Sequence, residues 1–126
     1  MRRIWIAVTV ISAIALLAGP ASAGAHISVE DREAAGRSLK IVAHDCVSGS
    51  DFEAFVEVEL VDNQGARVEK ERTPAAPSGI TVVRVRIPAD TPRGRYTAIV
   101  TCKLLFDAGG SGIFYMSEEV FHVVRG

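Results

Sequence analysis

The chain has 126 residues and a formal net charge of −1, so it is long enough for one ordinary domain and too short for two. Its first 23 residues differ from the rest: 16 of them are apolar, and Arg2 and Arg3 are the only charges before Glu30. The other residues include 12 basic and 15 acidic side chains and no basic run. The chain therefore lacks the clustered positive charge with which proteins bind nucleic acids or anionic membranes.

The N-terminal segment has the composition of a secretory signal peptide. Arg2 and Arg3 are followed by 15 residues, Ile4 to Ala18, that are almost all apolar. This stretch is shorter than the roughly 20 apolar residues that a membrane-spanning helix requires. We therefore predict an exported protein with a cleaved signal; the alternative is a signal that is retained as an anchor.

Two cleavage positions are open at the end of this segment. The small residues Ala21-Ser22-Ala23 favour cleavage after Ala23, which predicts a signal peptide over residues 1–23 and one domain over residues 24–126. Cleavage after Ala25 would instead make His26 the first residue of the mature chain. In either case we expect a protein that is secreted or held in the cell envelope, with no membrane span after the signal is removed.

Cys46 and Cys102 are the only cysteines of the chain. An even pair in an exported domain predicts one disulfide, whereas a metal or redox pair would need a closer spacing such as Cys-x-x-Cys. A bond between cysteines so far apart removes conformational entropy from the unfolded chain. In the chain-entropy model this stabilises the fold by about 4 kcal/mol.

Beyond the signal, apolar and polar residues alternate with the period of a β-strand. The clearest segment has Ala54, Val56, Val58 and Leu60 on one face and Glu53, Phe55, Glu57 and Glu59 on the other. Similar segments begin near Ile27, Leu39, Ala66, Thr81, Tyr96 and Phe121. Clusters of turn residues separate them, at 62–65, 73–79, 88–94 and 109–112. About seven short strands with regular turns predict an all-β fold, a β-sandwich.

Several spaced residues are similar to a known group of proteins. They are Ala35-Gly36, Leu39-x-Ile41 and Cys46, then Ile87-Pro88, Pro92-x-Gly94-x-Tyr96, Val100-x-Cys102 and Phe121-x-Val123. With this pattern, the chain from about Val29 to Val124 resembles the small secreted immunoglobulin-like domains that are common in actinobacteria. The resemblance implies a scaffold and no particular activity.

The resemblance also implies how the scaffold is cross-linked. In such folds a cysteine of the second strand pairs with one of the sixth, so the bond between Cys46 and Cys102 is expected to join the two sheets. Tyr96 is expected to bury its ring and to use its hydroxyl in a hydrogen bond. Cys46 is out of phase with Leu39 and Ile41, so we expect it just beyond the strand end or after a bulge.

No residue pattern of a catalytic centre stands out. Both cysteines are assigned to the disulfide, and Gly110-Ser111-Gly112 lacks the spacing of a nucleophile elbow. The three glutamates of the clearest strand share one face, where we expect a solvated surface balanced by Arg84 and Arg86 across a neighbouring strand. A small extracellular hydrolase that uses these carboxylates is an alternative, but we predict that the protein is not an enzyme.

Metal binding has two candidate locations. The loop at residues 45–51 contains Asp45 and Asp51, but calcium needs six or more oxygen ligands, so a hydrogen-bonded turn is expected there. If cleavage fell after Ala25, His26 would present an amine and a ring nitrogen together, which suits copper. An exported copper carrier that uses His26 is therefore an alternative to the predicted absence of metals and cofactors.

The segment at residues 104–116 has large apolar side chains at consecutive positions around a glycine-rich turn. Only one face of such a hairpin can enter the core, and exposed aromatic and methionine side chains favour binding. The candidate binding residues are Phe106, Ile113, Phe114, Tyr115 and Met116. We predict a secreted binding or structural module that contacts a protein or cell-envelope partner through this hairpin; packing over the open end of the sandwich is the alternative.

Overall fold

The computed structural model describes residues 26–125, so the predicted signal peptide lies outside the described residues. This part of the chain forms eight β-strands. They are β1 (Ile27–Val29), β2 (Arg32–Ala34), β3 (Ser38–His44), β4 (Phe52–Val61), β5 (Arg67–Pro74), β6 (Ile80–Arg86), β7 (Gly94–Phe106) and β8 (Ser111–Val124). Within the same residues there is no helix long and apolar enough to cross a bilayer.

The strands form two sheets. The first contains β1, β3 and β6 in that order, and the second contains β2, β8, β7, β4 and β5. β2 lies parallel to the end of β8, and all other neighbouring strands are antiparallel. The all-β prediction is confirmed, with eight strands instead of about seven. The additional strand is β2, whose three residues are too few to show a clear alternation in the sequence.

Within residues 26–125, one hydrophobic cluster contains most of the buried side chains of both sheets. On β4 the predicted alternation is seen directly, because every second residue from Ala54 to Leu60 is buried and the residues between them are not. β6 and β7 contribute alternate residues in the same way. Each fully buried aliphatic side chain stabilises the fold by about 1.5–3 kcal/mol relative to exposure, so this cluster holds the two sheets together.

Cys46 and Cys102 form the predicted disulfide, which joins the loop after β3 to β7. Cys46 lies two residues beyond the end of β3, as expected from its being out of phase with Leu39 and Ile41. The preceding residue, Asp45, has a backbone φ of 64°, in the left-handed region that aspartate tolerates better than most residues. This turn interrupts the alternation of β3, so that Cys46 is buried and Asp45 is exposed.

Near the start of β7, Tyr96 packs its buried ring against Phe121, with ring centroids 5.8 Å apart. Its hydroxyl donates a hydrogen bond of 2.6 Å to the carbonyl oxygen of Pro92, four residues earlier. Burial, with a smaller contribution from the charge of Asp62, raises the pKa of Tyr96 above the ordinary tyrosine value. The structure thus contains both the buried ring and the hydroxyl bond that were expected of Tyr96.

The charge pairing predicted for the β4 glutamates is wrong. Arg84 and Arg86 lie on β6, which belongs to the other sheet and pairs with β3. Two of the β4 glutamates instead face cations on β5 and β7: the Glu57 carboxylate lies within 4.0 Å of both Arg72 and Lys103, and the Glu59 carboxylate lies 3.3 Å from Arg67. The order of strands in the sequence does not reveal which of them are neighbours, and β4 lies between β5 and β7.

Candidate binding surface

The β7–β8 hairpin carries the predicted binding residues, and its register has one irregularity. Cys102 faces Tyr115 and Lys103 faces Ile113, so Phe114 has no partner on β7. A β-bulge of this kind shifts the phase of the side chains on one strand. The apolar residues of the hairpin are therefore divided between different surfaces.

Phe106 and Phe114 lie at one end of the molecule, together with Val47, Phe52 and Leu104. We call these five residues the apolar rim. Three of them are exposed, with 60% of Phe114, 41% of Val47 and 40% of Phe106 accessible to solvent. Four of the five line a depression of about 190 Å³. This end of the fold thus presents an apolar surface that is open to solvent.

The first loop of the rim connects β3 and β4. Ser48 Oγ accepts a hydrogen bond from Ala54 N, and Gly49 N donates one to the carbonyl oxygen of Phe52. A Cβ atom on Gly49 would lie 2.5 Å from the Phe52 ring, so the backbone approaches the ring more closely than any other residue would allow. Together with the disulfide, these contacts order the loop around Phe52.

A second loop borders the rim: the turn of the hairpin, residues 107–110. Asp107 N donates a hydrogen bond of 2.9 Å to the carbonyl oxygen of Asp51, and Gly109 N donates one to the carbonyl oxygen of Phe106. The rings of Phe52 and Phe106 meet edge to face, with centroids 6.0 Å apart. The two loops therefore form one connected surface, and a partner would meet backbone that is already ordered.

Ile113 and Met116 are strongly exposed, at 63% and 59%, but they lie on the outer face of the second sheet. There they are opposite Lys103 and Thr101 on β7. The core lies on the other side of the sheet, because Cys102, between these two partners, is buried. Ile113 and Met116 therefore do not contribute to the apolar rim.

Tyr115 turns toward the first sheet. Its hydroxyl donates a hydrogen bond of 2.7 Å to the carbonyl oxygen of His44, and its ring stacks on the His26 ring with centroids 4.3 Å apart. Burial, and secondarily the charge of Asp45, raises the pKa of the Tyr115 hydroxyl to about 12. Tyr115 is six residues before Phe121, so the two side chains lie on the same face of β8. The inward orientation of Tyr115 could therefore have been predicted from the sequence.

In comparisons with protein-family models and with curated protein sequences, no match to this chain was found. A function therefore has to be inferred from the side chains that the fold presents. Sequence reasoning placed Phe106 and Phe114 in the candidate site but missed Val47 and Phe52. A signal for both was available, because a bond between Cys46 and Cys102 brings the loop after β3 next to the hairpin.

His26, the residue of the copper alternative, lies beside Asp45, with 3.7 Å between its Nδ1 and the carboxylate Oδ2. Its Nδ1 is buried without a hydrogen-bond partner, and its ring is held against Tyr115. Within residues 26–125, no group of three or more histidine, cysteine, aspartate or glutamate side chains is placed to hold a metal ion. The fold thus brings two candidate metal ligands together at this position, the His26 ring nitrogen and the Asp45 carboxylate.

The glutamates of the hydrolase alternative lie along β4, which is between β7 and β5 in the second sheet. Glu57 Oε2 lies 3.9 Å from Arg72 Nε and 4.0 Å from Lys103 Nζ, and Glu59 Oε2 lies 3.3 Å from Arg67 Nε. Each of these two carboxylates faces a cation on a neighbouring strand. This is the arrangement of a charge-paired sheet surface, in which cross-strand pairs favour one register.

Proposed function

We propose that this protein is a secreted, non-enzymatic binding module that contacts a partner protein or a component of the cell envelope through its apolar rim. The observation that carries this proposal is the exposure of Phe106 and Phe114 beside two loops that a backbone hydrogen bond, from Asp107 N to the Asp51 carbonyl oxygen, joins to each other. Aromatic side chains are enriched at the buried centres of interfaces, where they supply a large apolar contact area. Removing that area from water is favourable, so a partner that covers the rim gains binding free energy.

The scaffold that we propose is an immunoglobulin-like β-sandwich. Its support is the division of the strands into a β1-β3-β6 sheet and a sheet containing β8, β7, β4 and β5, with a disulfide between them. The hydrogen bond from the Tyr96 hydroxyl to the Pro92 carbonyl is similar to the tyrosine corner of such domains. Sandwiches of this type present loops at their two ends, and the rim lies at one end, on the loop after β3 and on the ends of β4, β7 and β8.

Secretion is part of the same proposal. A disulfide in a small β domain is compatible with an extracellular location, and residues 1–23 have the parts of an export signal. A protein in that location meets exported proteins and envelope components, which are the partners that we propose. N-terminal sequencing of the protein recovered from culture medium tests this step, and it also decides between a start at Gly24 and a start at His26.

Capture of partners by matched variants tests the binding role. Phe114→Ser removes the most exposed side chain of the rim, and Met116→Ser removes an equally exposed side chain from the outer face of the sheet. The unaltered protein and both variants are immobilised and exposed to native culture medium and to envelope extract. We expect a component that the unaltered protein and Met116→Ser retain and that Phe114→Ser loses.

Thermal unfolding of the same three proteins serves as the control. Both serine substitutions are at exposed positions, so we expect each to change the free energy of unfolding by less than about 0.5 kcal/mol. Equal capture by Phe114→Ser and Met116→Ser would contradict a binding role of the rim. Loss of capture in Met116→Ser alone would place the contact on the outer face of the sheet instead.

A further inference from the structure

We infer that the apolar rim recognises a protein segment in which an apolar side chain is flanked by lysine or arginine. This inference rests on the proposed function and specifies the chemistry of its partner. Its basis is the three aspartates of the loops around the rim, two of which adjoin Phe52 and Phe106 in the chain.

The aspartates nearest the rim are attached to it directly. Asp51 precedes Phe52 in the chain, and Asp107 follows Phe106. Both aspartates are exposed. Because Phe52 and Phe106 are opposite each other in the register of β4 and β7, the two aspartates flank a pair of aromatic rings. Each of these acids therefore stands beside an apolar contact surface.

A third aspartate also lies at this end, beside His26. Asp45 lines the depression of the rim. The three loops at this end, residues 45–51, 75–79 and 107–110, contain three aspartates and no lysine or arginine. In the loops at residues 35–37, 62–66 and 87–93, at the opposite end, Arg37 and Arg93 balance Asp62 and Asp90. The three loops around the rim thus carry a net negative charge, which attracts a cationic partner.

This charge selects among the possible occupants. Two copies of the chain that met rim to rim would bring six aspartates together, and like charges across a contact are unfavourable. An anionic membrane surface is repelled for the same reason. A lysine or arginine, in contrast, pairs with Asp51 or Asp107 while its methylene stem and charge lie against the neighbouring phenylalanine ring. The apolar residue between two such cations would then occupy the depression.

Peptides that differ in one property at a time test this recognition. The first has a Leu-Phe centre flanked by two lysines on each side, the second has glutamates in place of the lysines, and the third has Ser-Ser in place of Leu-Phe. The isotope-labelled protein is titrated with each, and NMR chemical shifts report both the affinity and the residues contacted. We expect only the first peptide to bind, with the shifts confined to the rim and the loops that carry it.

Variants of the protein complete the design. Replacing both Asp51 and Asp107 by asparagine keeps the shape of the rim and removes two charges, so the affinity for the lysine peptide should fall about three- to ten-fold. Phe114→Ser should reduce it by about ten-fold or more, and Met116→Ser should leave it unchanged. Raising the salt concentration should also weaken binding, because the charges are exposed.

The outcomes separate this inference from the proposed function. Equal binding of the lysine and glutamate peptides, or an unchanged affinity in the asparagine variant, would overturn the requirement for a cationic partner. Failure of all three peptides would overturn it as well, and the proposed function would stand if Phe114→Ser still lost its captured component. A dimer in sedimentation experiments that Phe114→Ser dissociates would identify a second copy as the occupant. If Phe114→Ser affects neither capture nor peptide binding, both proposals fail.

Discussion

The hydroxyl of Tyr115 on β8 donates a hydrogen bond of 2.7 Å to the carbonyl oxygen of His44 on β3, 71 residues earlier in the chain. The bond joins the two sheets beside the apolar rim, because β3 ends at His44 and the first loop of the rim follows it. An aromatic residue of the candidate binding segment thus supports the fold. Its neighbour Phe114, displaced by a bulge, is exposed.

Removal of the Tyr115 hydroxyl should therefore lower stability and leave the rim intact. We expect Tyr115→Phe to reduce the free energy of unfolding by about 1 kcal/mol, since the ring is kept and one hydrogen bond between the sheets is lost. Tyr115→Ser should cost more, because it also removes the stacking on His26. Urea unfolding measures both changes. Stability equal to that of the unaltered protein in Tyr115→Phe would show that the bond contributes nothing.

The raised pKa of Tyr115 predicts a loss of stability in alkali. The hydroxyl titrates at about 10 in the unfolded chain and at about 12 in the fold, so between these values the folded state holds more protons. Its contribution is fully present below pH 10 and declines as the pH rises toward 12. Urea unfolding at a series of pH values should give a shallower decline for Tyr115→Phe than for the unaltered protein, with Tyr96 common to both. Parallel curves would contradict the assignment.

The left-handed backbone of Asp45 makes this position sensitive to side-chain shape. Asp45→Asn and Asp45→Gly should change the stability little, because both residues tolerate a positive φ. Asp45→Val should lower it by about 2 kcal/mol, since a β-branched residue is strained there. Chemical unfolding of the three variants measures the series. A valine variant as stable as the asparagine variant would mean that the chain turns toward Cys46 without strain at residue 45.

The disulfide closes a long loop, because the sequence separation of its cysteines is 56. On the chain-entropy model, replacing Cys46 and Cys102 by alanine should lower the free energy of unfolding by about 4 kcal/mol. Guanidinium unfolding with and without a reducing agent measures this effect. Reduction should destabilise the unaltered protein and have no effect on the alanine variant, which lacks the bond.

Alternation made the core predictable wherever a strand has one buried face. Along β4 a slip of one residue would expose Val56 and Val58 and bury the glutamates. The register predicted from the alternating sequence is therefore the one found in the fold. The bulge at Phe114 was not predictable in this way, because both its neighbours are also apolar and the pattern gives no sign of a change of phase. Of the five proposed binding residues, Phe106 and Phe114 lie in the rim, while Ile113, Tyr115 and Met116 face elsewhere.

The amino-acid sequence by itself determined that this chain forms strands, which residues of β4 enter the core, and that Cys46 pairs with Cys102, because periodicity and cysteine count are local properties of the chain. Only the tertiary structure decided that β4 lies between β5 and β7, and how the side chains of Val47 and Phe52 meet those of the hairpin in one rim. It also placed Asp51 and Asp107 together at that rim. Strand neighbours and loop contacts depend on how distant segments pack, which residue order alone does not specify.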